Sequence, residues 1–487
     1  MSKVKKTYMH VAIGIILGIL ILMFLKPENG LEPMGVKVLA AFVATMYWWI
    51  TLGMSWTVLI GVPLLTLTGA MSYKAVIQSG LGNPMVFFLL VTGLMNVAIL
   101  ETGVAERLVQ WFITRKIVKG RPYMFIFLYM LSIYIISLVM AGATVCIIML
   151  GMIKGICEEL KLEKEDKLSK VLYLLVNWVS LLGFIATPIG HSTAILAIGL
   201  IETFLGVTVT FGQWCALGIP ISLLWFGLIF LTVRFIFKID MTKYENYDIE
   251  GRRKALEEQG PLSKRGKITV AVFLTCVVCF FLPDILKGVL PGVASAISSF
   301  GIGSIMTIGV ATLCVVNIDG KPILDWKTAI KQNEWTPILS GVTNYAIAAV
   351  FGVAETGITL WITNLCEPLT ASITSWLPFV LLVSAAALFI TQLMSCGTTE
   401  TIIINVSIPL ALALGNVNPI AIAMVITYVA NIGLMTPPAS GGASVTLSTD
   451  YLTPKDGLTM GWWCLPQGLI IALISYIVID KAIPFIG

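Results

Sequence analysis

Charge is what this sequence has least of. Lys, Arg, Asp and Glu make up 12% of its 487 residues, where a soluble protein carries about 25%. Hydrophobic residues reach 57% and the mean hydropathy is +0.94, which excludes a chain of soluble domains. Histidine is nearly absent, with only His10 and His191. There is no HExxH helix, no acidic diphosphate-binding motif and no Ser/His pair in a nucleophile turn, so a membrane-embedded enzyme has few candidate groups and none is expected. The nine cysteines lie mostly inside apolar runs and make no disulfide framework. The pair Cys276–Cys279 has metal-like spacing but no second ligand pair, and reads as packing. The net charge of +5 comes from loops between apolar runs and does not point to nucleic acid.

Apolar runs recur from end to end, many near the ~20 residues that a bilayer-crossing helix needs. Crossing helices are predicted near 9–25, 36–52, 55–71, 84–104, 171–200, 213–237, 268–286, 293–316, 336–357, 418–448 and 461–483. Two more apolar regions, 123–153 and 377–414, are interrupted by small polar residues. If both are re-entrant hairpins, 26 of the 31 Lys and Arg fall on one side, in 1–8, 107–122, 154–170, 234–267, 319–335 and 449–460. If both cross fully, the basic loops alternate between sides. The positive-inside bias therefore selects hairpins, with a cytoplasmic N-terminus and an external C-terminus in a cell membrane.

The chain also repeats itself. "AILETG" at 98–103 and "GVAETG" at 352–357 lie 254 residues apart, as do "MAGAT" at 140–144 and "MSCGT" at 394–398. "IATP" at 185–188 and "LMTP" at 434–437 are 249 apart, as are Trp214–Cys215 and Trp463–Cys464. Four landmarks in one order define two copies of a unit. The expected organisation is an N-terminal segment with the first span (1–35), a first repeat (36–237), a cytoplasmic linker (238–267) and a second repeat (268–487). An odd number of crossings separates matched elements, so the repeats are inverted.

Inverted repeats with broken helices mark secondary transporters, whose ligands bind near the bilayer midplane where the helices unwind. The stretch "LGFIATPIGHSTAIL" (182–196) breaks one predicted span with Pro188, Gly190, His191, Ser192 and Thr193, and "LMTPPASGGASVTLS" breaks its counterpart. Backbone groups freed there are tolerable only where they line a cavity or bind something. His191 reads as a site residue at membrane depth. Glu400 directly follows the second hairpin tip and needs a partner there: a coupling cation, a proton or His191. Glu101 and Glu355 read as helix-end residues, with Arg107 paired to Glu101 or Glu106.

The run "GNPMVFFLLVTGLMNVAILETGVAERL", the two tips and the two broken spans resemble the divalent anion:sodium symporter family over most of the chain. The resemblance implies an all-α membrane protein of about eleven crossing helices and two re-entrant hairpins. It also implies a homodimer in which a transport domain slides like an elevator against a scaffold. Sodium would lie between each tip and its neighbouring unwound loop, at Ala141, Gly142, Thr187 and Gly190 and at Ser395, Thr399, Glu400, Thr436 and Ser440. An anion would lie between the tips, against Gly142, Ala143, Thr144, His191, Ser192, Thr193, Cys396, Gly397, Thr398, Ser440, Gly441 and Gly442. The family's Ser-Asn-Thr tips become Ala141-Gly142-Ala143 and Ser395-Cys396-Gly397. The Pro-Pro-Asn portions become Ser192-Thr193-Ala194 and Gly441-Gly442-Ala443. The expectation is a symporter of a small anion, dicarboxylate- or sulfate-like, driven by sodium or protons and needing no cofactor. A cation/proton exchanger is the alternative, which Glu400 favours, and a channel is a further one.

Overall fold

The computed structural model describes residues 3–140, 142–370 and 375–486 and is built almost wholly of α-helices. Among the described residues, eight helices are long and apolar enough to cross a membrane, nine if a bent pair counts as one crossing. Burial sorts them into centre and rim. The best apolar stretch of Lys167–Ala186 is 94% buried within the protein and that of the N-terminal helix 6%, so the first is the hub and the second meets lipid.

Both hairpins are re-entrant. The first has arms Pro122–Ser137 and Gly142–Glu159. At its root Phe125 packs against Tyr244 and Tyr247, while Glu159 at the far end pairs with Arg252 and accepts from Asp248 N. The two ends thus meet on one short piece of the linker, which is helical over Ile249–Glu258. The second has arms Trp376–Ile390 and Cys396–Leu414. Cys396–Leu414 is long enough to span a bilayer, but its exit lies beside the hairpin's entrance. Trp376 stacks on Tyr476 at 4.8 Å, and the Tyr476 hydroxyl accepts from Asn418 N at 2.9 Å.

The same order of elements recurs in the two halves. Gly142–Glu159 and Cys396–Leu414 begin 254 residues apart, and Ser192–Leu205 and Gly441–Leu447 begin 249 apart. Each broken span is two half-helices around an unwound loop: Lys167–Ala186 with Ser192–Leu205, and Pro419–Ala430 with Gly441–Leu447. The landmark glycines Gly103 and Gly357 hold φ of +65° and +64°, a conformation that suits glycine.

Two expectations need correction. The predicted crossing 293–316 is bent by 68° between Pro291–Phe300 and Ile302–Val315; Gly301, at φ +78°, makes the corner. Arg107 pairs with neither Glu101 nor Glu106 among the described residues, its guanidinium donating to the Gly260 carbonyl instead.

The first tip approaches its break closely enough to demand glycine. A Cβ on Gly183 would lie 2.2 Å from the Ser137 carbonyl oxygen, and one on Gly190 2.4 Å from the same atom. Overpacking at such a backbone contact costs about 1–3 kcal/mol. Gly183→Ala is expected to lower the midpoint of thermal unfolding in detergent. Gly227→Ala, where an added Cβ meets nothing within 4 Å, is expected to leave it in place.

Candidate transport site

Each unwound loop is held to its hairpin by a threonine. Thr187 donates to the Leu138 carbonyl in the first half, and Thr436 donates to the Gln392 carbonyl in the second. These pairs are related by the repeat, with threonines 249 and carbonyls 254 residues apart. The remaining freed groups are satisfied differently in the two halves. In the first, the Trp214 indole donates to the Ile185 carbonyl at 3.0 Å. In the second, one side chain covers three backbone groups: Gln392 Nε2 donates to the Ile432 carbonyl at 2.6 Å, and its Oε1 accepts from Leu434 N and Met435 N at 3.1 and 3.0 Å. Trp463, the repeat counterpart of Trp214, is exposed.

The halves are then cross-linked by two asparagines 254 residues apart. Asn177, on the first half-helix of one repeat, accepts from Ser440 Oγ at 3.3 Å at the helix start of the other. Asn431 reaches the opposite way, donating from Nδ2 to Thr193 Oγ1 at 3.0 Å. Both asparagines are at most 2% exposed. The following half-helices pack crosswise as well, Ser192–Leu205 along Cys396–Leu414 and Gly441–Leu447 along Gly142–Glu159.

A cavity of about 100 Å³ opens at the first break. Thr144, Gly190, His191 and Ser192 line it from the first hairpin and the break, Thr92 and Asn96 from Pro84–Glu101, and Gln332 to Glu334 line it as well. His191 caps the helix Ser192–Leu205: its Nδ1 accepts from Thr193 N at 3.3 Å, which leaves the ring proton on Nε2 as a donor. Its ring stacks on Phe184 with centroids 3.9 Å apart. The helix N-terminus adds its partial positive charge. Thr92 Oγ1 and Asn96 Oδ1 have no partner among the described residues. The lining holds no Lys or Arg, and its one acid is Glu334.

The other expected site residues lie elsewhere. Gly142 packs on Phe184, whose ring would be 2.3 Å from an added Cβ, and Gly442 packs on Asn177 Oδ1 at the same distance; both glycines serve close packing. Ala141 lies outside the described residues, as does the side chain of Ala143. Thr193 is wholly buried on Asn431. Cys396, Gly397, Thr398, Ser440 and Gly441 do not line this cavity. The second tip instead docks on the turn after the helix Pro33–Leu52, where Thr398 Oγ1 contacts Met54 Sδ at 2.9 Å and bonds Ser395 Oγ, the helix cap, at 2.8 Å.

Of the expected cation ligands, Thr187, Thr436 and Ser440 spend their hydroxyls on protein carbonyls and amides. Thr399 Oγ1 and Glu400 Oε2 do not: both residues are 0% exposed and neither atom has a partner among the described residues. Glu400 Oε1 accepts from Thr427 Oγ1 at 2.9 Å, so it does not pair with His191. Sequence reasoning passed over Asn96, Asn177, Gln392 and Asn431. Each is a lone amide in an apolar run, and the 254-residue spacing of Asn177 and Asn431 was the available signal.

Residues 5–484 match the family described as the sodium:sulfate symporter transmembrane region. The chain belongs to that family. This multi-pass membrane transporter is 24% identical over 494 residues to the sodium-dependent dicarboxylate transporter SdcS of Staphylococcus saprophyticus, covering 97% of this chain and 92% of that one. To SdcS of Staphylococcus aureus strain USA300 it is 25% identical over 501 residues, covering 98% and 93%. Among solved structures it resembles the Alcanivorax borkumensis YdaH transporter, with a TM-score of 0.56 over 90% of this chain and 98% of that one. At 14% identity that likeness speaks to the fold alone.

Gln392 carries the heaviest local load. Replacing it by Leu, the residue at the matching position 138, strands three backbone groups, each worth about 1–3 kcal/mol when buried. Gln392→Leu is expected to destabilise the purified protein severely in thermal unfolding, well beyond Asn431→Ala, which breaks one cross-link.

Proposed function

We propose that this chain is a sodium-coupled secondary transporter of a small anion, dicarboxylate- or sulfate-like, in the cell membrane. The observation that carries the reading is the cavity at the first break. It is lined from the first hairpin and the break, and from Pro84–Glu101 and residues 332–337. Its donors suit an oxyanion: His191 Nε2–H, the hydroxyls of Thr144 and Ser192, and the start of a helix. The names of the SdcS relatives support both the dicarboxylate and the sodium. A homodimer with the N-terminus in the cytoplasm and the C-terminus outside completes the proposal, resting on the family resemblance and on the distribution of Lys and Arg.

The lining also gives a physical reason for coupling. With no Lys or Arg in the cavity wall, a dianion taken from water meets only neutral donors, and an uncompensated charge in a low-dielectric site costs several kcal/mol. Sodium ions bound in the same body supply the missing positive charge, so substrate and cation cross together. Thr399 Oγ1 and Glu400 Oε2 are oxygens free to take such a cation, which prefers hard oxygen ligands.

Purified protein in liposomes is expected to accumulate labelled succinate when sodium is high outside, and to stop when the sodium gradient is dissipated. Competition by unlabelled sulfate reads the breadth of the site. Accumulation that persists with no ion gradient sinks the proposal. His191→Ala removes one neutral donor and is expected to raise the KM for uptake about 5–10-fold, the equivalent of ~1 kcal/mol.

A second reading, exchange of a cation for a proton, draws on Glu400, a wholly buried carboxylate with one unpartnered oxygen. Glu400→Ala separates the two. An exchanger loses all flux, whereas an anion symporter keeps binding succinate and needs more sodium to reach half-maximal uptake.

A further inference from the structure

A second hollow, of about 950 Å³, lies away from the transport cavity. It is framed by the amphipathic helix Val104–Ile113, the segment that follows it and the linker helix Ile249–Glu258. Its rim is basic. Arg107, Arg115, Lys116 and Arg253 line it, against a single acid, Glu257.

Little of that charge is neutralised within the protein. Glu257 is taken by Arg253 at 3.4 Å. Arg107 donates to a neutral carbonyl, that of Gly260. The Arg115 guanidinium lies 3.3 Å from the centre of the Trp111 ring, and its Nε has no partner among the described residues. Lys116 makes no ion pair among them. A guanidinium held over an aromatic ring leaves its remaining N–H groups to bind an anion, and such groups fit phosphate oxygens two at a time.

The hollow also has an apolar floor, with Phe112, Leu128 and Leu256 among its lining. Leu128 stands six residues inside the apolar arm Pro122–Ser137, about 9 Å along it at the rise of an α-helix. Trp111 and Ile117 are 47% and 49% exposed beside the basic groups, a composition that belongs at the membrane–water interface. A basic rim above an apolar floor at that level matches a phosphate headgroup with acyl chains beneath it.

We propose that this hollow binds an anionic phospholipid. Its phosphate sits against Arg115, Lys116 and Arg107, and a chain lies along Phe112 and Leu128. The lipid then joins three elements, the amphipathic helix, the first hairpin arm and the linker. The assignment does not rest on what the transport cavity carries.

The test is lipid retention by the full-length purified protein, read by native mass spectrometry after incubation with phosphatidylglycerol or with phosphatidylcholine of the same chain length. The wild-type protein is expected to retain phosphatidylglycerol selectively. The double change Arg115→Ala with Lys116→Ala should weaken that retention about 30-fold, at the usual worth of two basic residues near an anionic headgroup. It should leave phosphatidylcholine unaffected, and Arg115→Lys, which keeps the charge but not the two-point fit, should lose less than the double change. Equal retention of both lipids by the wild-type protein overturns the proposal without any variant, as does phosphatidylglycerol binding that survives the double change. Displacement of phosphatidylglycerol by millimolar inorganic phosphate would assign the basic groups to a free anion and overturn the lipid as occupant.

Discussion

A peptide group left without a partner in the middle of a bilayer costs several kcal/mol, and the centre of this protein is arranged around that constraint. Two spans are interrupted, so two sets of carbonyls and amides need partners that are neither lipid nor their own helix. The partners are the Trp214 indole on the Ile185 carbonyl, the Gln392 side chain on Ile432, Leu434 and Met435, and the hydroxyls of Thr187 and Ser440 on Gly190 N and the Gly433 carbonyl. Thr187 and Thr436 also tie the loops to hairpin carbonyls, and Asn177 and Asn431 tie the repeats together side chain to side chain. Remove this bonding and the broken helices have no reason to sit at that depth. Keep it, and the starts of Ser192–Leu205 and Gly441–Leu447, each with its oriented partial charge, are held against the opposite repeat.

The two halves solve the same problem with different side chains. The second saturates its loop with Gln392, which spans three backbone groups, and seats its tip on Met54. The first leaves less inside the loop and more beside it: Trp214 takes one carbonyl from behind, and a cavity remains in front. Pseudo-symmetry therefore holds for the backbone and breaks in the side chains. The break places the polar opening next to His191 and not midway between the tips.

The layout was legible because large effects wrote it into the composition. Hydropathy marked the spans, the bias of Lys and Arg required hairpins, and clustered Pro, Gly and small polar residues marked both interruptions. Four landmarks sufficed to see the duplication. The bend at Gly301 was not visible, since a glycine in an apolar run looks the same in a straight helix and at a corner. Spacing along the chain gives the depth of a residue but not the neighbour it faces, so nothing in it marked Gly142 and Gly442 as making room for Phe184 and Asn177. The amides were the missed opportunity: a single Asn or Gln at membrane depth is expensive alone, and for Asn431 and Asn177 the partner lies 238 and 263 residues away in the chain.

That sequence separation has a consequence for biosynthesis. Asn177 leaves the ribosome long before Ser440, its partner. At ~5–20 residues per second, the first broken helix waits roughly ten seconds to a minute in the bilayer with its amide unmatched. During that interval the nascent first half is a membrane protein with an open polar seam, and neither repeat made as a separate chain would close its own.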